Sequence, residues 1–423
     1  MQWIPRFSSS GKNCRARKRD AGTSFPSTKN STRSSGIISG LPRVELSFEF
    51  LASWSGARRT LAAASTPTMS SSGTRASNGL PRVLFAEYPL NRWNLGGKER
   101  RTRALAAELE RLGARVGYYD AWSEPDRDFD ILQIFGSEYY QAELVKRARS
   151  VGLAVATFSI LVFRSSADRQ RTRRWRHLDR FCPVTTTFGL RRSVLEDSDL
   201  VFFASEAERR DAQDVYGVTP RTSTVVRSTV SPEFADASPT PFERATGLRD
   251  FVLAVGRIEP RKNTLRLIEA ARRCALPLVL IGPMDQSHPD FSADVRARVD
   301  AHPDLHWLPP YAPDDPLLAS AYAAARVHVL PSFHETAGLV NMEALLTRTQ
   351  VVTTPLDAVR EYMRDYAFYA NPEDVGELAA KIREAYDTPF DERARDHVLE
   401  TLTHPSAARA MLDAYRGLLA SRS

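Results

Sequence analysis

The sequence predicts an α/β protein made of two doubly wound parallel sheets. Three observations carry that prediction. Apolar runs of strand length alternate with segments of helical periodicity along most of the chain. The runs are mostly apolar and do not alternate with polar residues, as in strands covered by helices on both faces. A stretch rich in proline divides them into two series.

The first series begins at Arg82 with Val83–Ala86, then Val116–Tyr119, Ile131–Phe135, Ala154–Ser159 and Leu200–Ala204. Helical spacing lies between them, as in Leu105, Leu109 and Leu112. Ser205-x-x-Glu208 directly follows a strand and reads as a capping box opening the next helix. Ser231–Asp250, with Pro232, Pro239, Pro241 and Gly247, breaks the rhythm and reads as an interdomain linker. The second series is Phe251–Val255, Leu278–Ile281, His306–Leu308, Val327–Leu330, Val351–Thr354 and Phe368–Tyr369, each followed by a helical stretch. The tail from His404 to Ser423 reads as helix. Ligands of such sheets bind beyond the carboxyl ends of the strands. Two halves facing each other therefore place a cleft between those ends.

The 423 residues suffice for two or three domains at roughly 150 residues each. The formal net charge of +7 is unevenly spread. Residues 1–79 hold 12 Lys and Arg against Asp20, Glu45 and Glu49, so the remaining chain is slightly acidic, with 46 basic and 48 acidic residues. A basic total ordinarily points to nucleic acid or a membrane surface; here it describes an appendage. That appendage contains 17 serines and no sustained apolar period, so it buries too little to offset its ordering entropy. It is expected to be a disordered basic extension, a targeting segment, or sequence upstream of a true start at Met69. Cys14, Cys182 and Cys274 form neither a disulfide framework nor a zinc motif. No apolar run reaches the roughly 20 residues of a membrane span. A soluble protein of a reducing compartment is expected.

The strongest chemical signal follows Val327–Leu330. It runs Pro331-Ser332-Phe333-His334-Glu335-Thr336-Ala337-Gly338-Leu339-Val340-Asn341-Met342-Glu343. A helix starting near Gly338 offers the free amides of Gly338, Leu339 and Val340 to an anion, and Gly338 allows close approach of a phosphate to the backbone. Glu343 lies about 7 Å further along that helix, where a carboxylate accepts hydrogen bonds from ribose hydroxyls. Glu335, in the loop, points toward whatever the phosphate carries. Taken alone, this pattern is equally that of a solvated helix start. A second constellation follows Phe251–Val255: Gly256-Arg257-Ile258-Glu259-Pro260-Arg261-Lys262-Asn263. Gly256 permits a tight turn, and Arg257 and Lys262 offer a planar fork and a point charge to a diphosphate. The plain alternative is a solvated basic loop with Asn263 as N-cap. Both motifs sit at strand carboxyl ends in the same half, within reach of one ligand.

With these residues in view, the chain from about Pro81 to Leu419 resembles the retaining GT-B glycosyltransferases of family 4, the glycosyl transferases of group 1. The resemblance rests on Gly96-Gly97 after the first strand, the Gly-Arg…Lys loop at 256–262, Pro331-Ser332-x-x-Glu335 with Glu343, and the stretch Val226–Phe234. It implies two facing Rossmann-like domains: residues 80–235 on the acceptor side, a linker at 236–250, a nucleotide-sugar domain at 251–403, and a last helix within 404–423 crossing back onto the first domain. It implies a hexosyltransferase-like enzyme, of the kind used in polysaccharide biosynthesis, moving sugar from a nucleoside-diphosphate sugar with retention. The acceptor is a glycan, a lipid-linked sugar or a small molecule. Arg257 and Lys262 then bind the donor diphosphate, Glu335 the sugar and Glu343 the ribose, while Gly96-Gly97 lies on the acceptor and phosphate side. No cofactor and no metal are implied, nor an enzyme nucleophile, and a cytoplasmic location is expected.

The chain departs from the family pattern at Thr336-Ala337, at Arg348-Thr349-Gln350 and at Pro355-Leu356-Asp357, where glycine-containing turns are usual. The first-domain histidine that many members carry near Ala154–Ser159 is absent. A non-catalytic sugar-nucleotide-binding scaffold or a sugar-nucleotide epimerase of the same fold are the competing readings. Asp126-Arg127-Asp128 and Asp197-Ser198-Asp199 match a short metal-binding pattern that is cheap to satisfy. Between Phe163 and Phe181 stand seven arginines; on a helix, Arg169, Arg173, Arg176 and Arg180 form one stripe. That stripe reads as a solvated face or as peripheral contact with an anionic membrane; nucleic acid, with one interleaved aromatic, is not expected to bind.

Overall fold

The computed structural model of the chain describes residues 80–87, 97–122, 128–161, 163, 166–179, 181, 185–312 and 314–422. The expectations for residues 1–79, including Met1 and Met69, lie outside the described residues, as do those for Gly96, Arg180, Cys14 and Cys182.

The first half runs β1 (Arg82–Ala86), α1 (Gly97–Arg111), β2 (Arg115–Tyr118), β3 (Ile131–Phe135), α2 (Ala142–Ser150), β4 (Ala154–Phe158), α3 (Ser166–Asp179), α4 (Thr187–Glu196), β5 (Leu200–Phe203), α5 (Glu206–Asp211) and β6 (Ser223–Val225). The second half runs α6 (Thr240–Thr246), β7 (Phe251–Val255), α7 (Thr264–Cys274), β8 (Leu278–Ile281), α8 (Pro289–Asp300), β9 (Leu305–Leu308), α9 (Pro316–Ala324), β10 (Ala325–Leu330), α10 (Leu339–Leu346), β11 (Gln350–Thr353), α11 (Asp357–Met363), β12 (Phe368–Tyr369), α12 (Val375–Asp387) and α13 (Glu392–Thr401). The last helix is α14 (His404–Ala420).

Each half holds one six-stranded sheet, in the order β2-β1-β3-β4-β5-β6 and β12-β11-β10-β7-β8-β9. Every recorded strand pairing is parallel. The mostly apolar runs follow from burial on both faces. On β1, Val83 and Phe85 pack with Leu105, Leu109 and Met411, while Leu84 and Ala86 pack with Val145 and Val194. On β7, Phe251 and Leu253 enter one core and Val252 the opposite one. The strand order reverses at β7/β10, and an open α/β sheet offers its crevice at such a switch point.

Helix α14 packs on the first sheet although it follows the second in sequence. Tyr415 is fully buried there, its ring edge-on to Phe202 at 5.6 Å, and its hydroxyl donates to Gln133 Oε1 of β3 at 2.7 Å.

Ser231–Asp250 is more ordered than its linker reading. Pro232–Asp236 forms a 3-10 turn and Thr240–Thr246 the helix α6. Its prolines fall in first turns, where a missing N–H costs nothing, so they open short helices rather than interrupt structure. Phe234 and Phe242 enter the second-half core, with the Phe242 ring 5.6 Å from that of Phe251. Phe242→Ala is therefore expected to destabilise the protein by about 3–5 kcal/mol in denaturant unfolding; a loose linker would give less than about 0.5 kcal/mol.

Candidate functional site

The site is assembled from three loops at the carboxyl ends of β7, β8 and β10. Gly256 ends β7 at φ 143° and Gly282 ends β8 at φ 153°. A Cβ on Gly282 would stand 1.9 Å from the Gly256 carbonyl oxygen, so no other residue fits there. Gly282 was not apparent in the sequence, because its constraint arises only when β7 and β8 pair.

Beyond Gly256 the chain turns through Arg257, which is exposed, and into a 3-10 turn at Pro260–Lys262. Asn263 then adopts φ 59°, and its side chain donates to the Pro372 carbonyl at 2.6 Å instead of capping α7. Arg261, not singled out in the sequence, stitches this loop to the one after β10. Its guanidinium donates to the His334 carbonyl and to Glu259, both at 2.6 Å, and its carbonyl accepts the Phe333 amide at 3.0 Å.

That stitching brings Lys262 and Glu335 together. Lys262 Nζ lies 2.7 Å from Glu335 Oε2, with side chains only 17% and 14% exposed. Burial works to raise the Glu335 carboxyl, but the Lys262 ammonium, with Arg261 behind it, holds it below its usual value. Gly338 follows as the left-handed N-cap of α10, at φ 66°, so the first amides of that helix, including Leu339 and Val340, open near the pair's loop. A Cβ at Gly338 would meet Asn341 Nδ2 at 2.9 Å.

Glu343 sits in the second turn of α10. Tyr322 of α9, fully buried, donates its hydroxyl to Glu343 Oε2 at 2.8 Å, while Oε1 receives no hydrogen bond from the described residues. Burial pushes the Glu343 carboxyl up to about 7, against the lowering effect of that bond. Beneath, on β10, His328 is fully buried between Leu253 and Val351 and is pushed down to about 3 by burial, so it is neutral. Tyr322, His328 and Asn341 had no spacing signal. Tyr322 meets the site only through Glu343, more than twenty residues onward.

On the first half, Gly97 begins α1. At the end of β4, where a histidine is usual in the resembled family, Ser159 donates to Glu208 Oε1 at 2.9 Å. Glu208 also accepts the amides of Leu161 at 2.7 Å and Ala204 at 2.6 Å. The expected capping box is thus half realised: Ser205 Oγ accepts the Glu208 amide at 3.0 Å, but the Glu208 carboxylate serves strand-end amides instead of returning to Ser205. Burial pushes Glu208 up to about 7.

Two further features of the sequence have partners in the structure. Arg169 pairs with Asp211, and Arg176 donates to the Asp214 carbonyl at 2.9 Å, so two members of the arginine stripe fasten α3 to the end of α5 and the turn after it. Gly217 makes room for Arg176, whose Cδ would lie 2.6 Å from a Cβ there. Arg173 is exposed on α3. Asp199 of the Asp-x-Asp pattern is buried and takes Arg149 at 2.5 Å and the Val155 amide at 2.9 Å. Among the described residues no group of three His, Cys, Asp or Glu side chains is placed to hold a metal ion, and no helix is long and apolar enough to cross a membrane.

Residues 249–388 match the family described as Glycosyl transferases group 1. The chain is 32% identical over 191 residues to the D-inositol 3-phosphate glycosyltransferase of Kineococcus radiotolerans, an alignment covering 41% of this chain and 43% of that protein. Among the first curated relatives it matches, the chain spans less than half of their length. A glycosyltransferase from Rickettsia africae superimposes with a TM-score of 0.64 at 14% identity, covering 80% of this chain and 99% of that one. The fold is GT-B. Anabaena HepE in complex with UDP-glucose shares this GT-B fold, with a TM-score of 0.62 at 15% identity over 80% of this chain and 100% of that one.

The raised Glu343 carboxyl has a measurable consequence. With a folded value near 7 and an unfolded value near 4.5, the native state binds more protons than the unfolded state between those limits. Stability from Glu343 therefore falls as pH rises from about 4.5 to 7 and is flat beyond. Comparing denaturant unfolding of the wild type with Glu343→Gln across that window should show the gap shifting in favour of the variant as pH rises.

Proposed function

We propose that the protein is a glycosyltransferase that moves a sugar from a nucleoside-diphosphate sugar to an acceptor with retention of anomeric configuration, in the manner of family 4. The observation that carries this reading is the Lys262–Glu335 pair at the β7/β10 switch point, beside the N-terminus of α10. The family match over the second half and the GT-B fold support it.

In this reading the diphosphate lies between Lys262 and the amides of Gly338, Leu339 and Val340. Lys262 gives one of its three donors to Glu335 and keeps two for phosphate oxygens. Arg257, exposed at the end of β7, adds a planar fork. Glu335, anchored by Lys262, faces the sugar, and Oε1 of Glu343 accepts from the ribose.

The bond from the anomeric carbon to the diphosphate breaks with negative charge gathering on the leaving phosphate and oxocarbenium character on the sugar. Fixed charges and amides aimed at that phosphate stabilise it without reorganising during reaction. The acceptor oxygen attacks on the face the phosphate leaves, and the leaving phosphate takes its proton. No protein nucleophile is required. The acceptor remains open among glycan, lipid-linked and small-molecule classes. Membrane delivery of a lipid-linked acceptor would fall to Arg173 rather than the full stripe, since Arg169 and Arg176 are engaged within the protein.

A binding module without turnover is the second reading, favoured by Ser159 where a first-half histidine is usual. A panel of nucleotide sugars, followed by thermal stabilisation and by hydrolysis or transfer, separates the two. Stabilisation with turnover is expected; stabilisation alone supports the binding module. Lys262→Ala and Glu343→Ala should each lower transfer by about a hundredfold or more in a folded protein. Full activity in both would overturn the site.

A further inference from the structure

The chain passes between the halves twice, and the two crossings are bonded to each other. Val230 donates to the Leu402 carbonyl at 3.0 Å, His404 donates to the Val230 carbonyl at 3.3 Å, and Thr229 Oγ1 lies 2.8 Å from His404 Nδ1. Such paired crossings permit rotation of one half against the other, so something else must set how far the cleft opens.

Helix α11 supplies that contact. Glu361, with its side chain 19% exposed, accepts the Glu206 amide on Oε2 and the Ala207 amide on Oε1, both at 2.7 Å. These are the first two amides of α5 in the other half, and Ser205 serves the third. A carboxylate of the second half therefore satisfies amide donors that α5 cannot satisfy itself, in the orientation its dipole favours. The next residue adds a second tie. Tyr362 packs its ring into the second-half core, while its hydroxyl donates to the Ala204 carbonyl at 2.5 Å and accepts the Ser228 amide at 2.8 Å. Arg101 of α1, stacked 4.1 Å over Phe158, donates to Ser228 Oγ at 2.7 Å and closes the node from the first half.

The same element reaches the donor loop. Thr354, between β11 and α11, donates its hydroxyl to the Ser332 carbonyl at 2.8 Å, in the loop that carries Glu335. One short segment thus touches the proposed donor loop at one end and the first half at the other.

We infer that Glu361 and Tyr362 are positioning residues that latch the two halves together and fix the width of the cleft. They touch no reacting atom. Glu361→Ala leaves two α5 amides without their acceptor, and Tyr362→Phe keeps the ring but loses both hydroxyl bonds, so together they release the latch.

The test compares full-length wild type, Glu361→Ala and Glu361→Ala/Tyr362→Phe by small-angle X-ray scattering, alongside UDP affinity by calorimetry and transfer kinetics. The radius of gyration is expected to rise in Glu361→Ala and further in the double variant. UDP affinity should stay within about twofold, because Arg257, Lys262, Glu343 and the Gly338–Val340 amides lie in the second half, while kcat falls about a hundredfold from the misplaced acceptor side. Glu361→Gln keeps one acceptor oxygen and should fall between wild type and Glu361→Ala in both scattering and kcat. Unchanged scattering in the double variant overturns the latch, whatever its activity. The kinetic arm rests on the proposed transfer, whereas scattering does not, so a wild type that transfers nothing overturns that function and leaves the latch to be judged by its dimensions. Should loss of the hydroxyl disturb the second-half core, Glu361→Ala alone carries the test.

Discussion

The ion pair between Lys262 and Glu335 fixes the approach of the two loops on which the candidate site depends. It joins the turn after β7 to the loop after β10, across the point where the strand order reverses. A nearly buried pair of this kind is a poor way to stabilise a fold, since an apolar pair of similar volume commonly does as well or better. In the proposed function its presence is explained by what it would do for a ligand. It holds a cation at the mouth of the crevice with donors to spare, and it orients a carboxylate that would otherwise be costly to keep ionised there. The proposed donor site follows from that arrangement.

The constraints behind the pair are steric and local. Gly256 and Gly282 let the ends of β7 and β8 approach within a distance no side chain tolerates. Asn263 and Gly338 take left-handed conformations that turn the chain on one side and open α10 on the other. Beneath them Tyr322 and the neutral His328 support α10 from the core, so the helix N-terminus and Glu343 keep a fixed relation. Among the described residues, the non-glycine positions with positive φ, Asp250, Asn263, Ala275, Arg348 and Arg364, all lie in the stretch that the family match covers.

Much of this was legible from residue order. β1, β3, β7, β8 and β10 show as mostly apolar runs because both faces are covered, and the two glutamates and the basic loop declare themselves at strand ends. β6, Ser223–Val225, went unread because three half-polar residues carry no period. The helix α6 was hidden by prolines that open first turns instead of breaking structure. The arginine stripe was visible, but its partners Asp211 and Asp214 lie more than thirty residues onward, so spacing could not distinguish a free face from a fastened one. Gly282, Arg261 and Tyr322 act only through neighbours that the fold brings to them.

The central claim is that a donor diphosphate occupies the space between Lys262 and the start of α10. A crystal structure of the protein with UDP tests it most directly. Phosphate oxygens are expected within hydrogen-bonding distance of Lys262 Nζ and of the Gly338–Val340 amides, with the ribose at Glu343. A diphosphate bound away from the β7/β10 crevice, with Lys262 still paired only to Glu335, would contradict it.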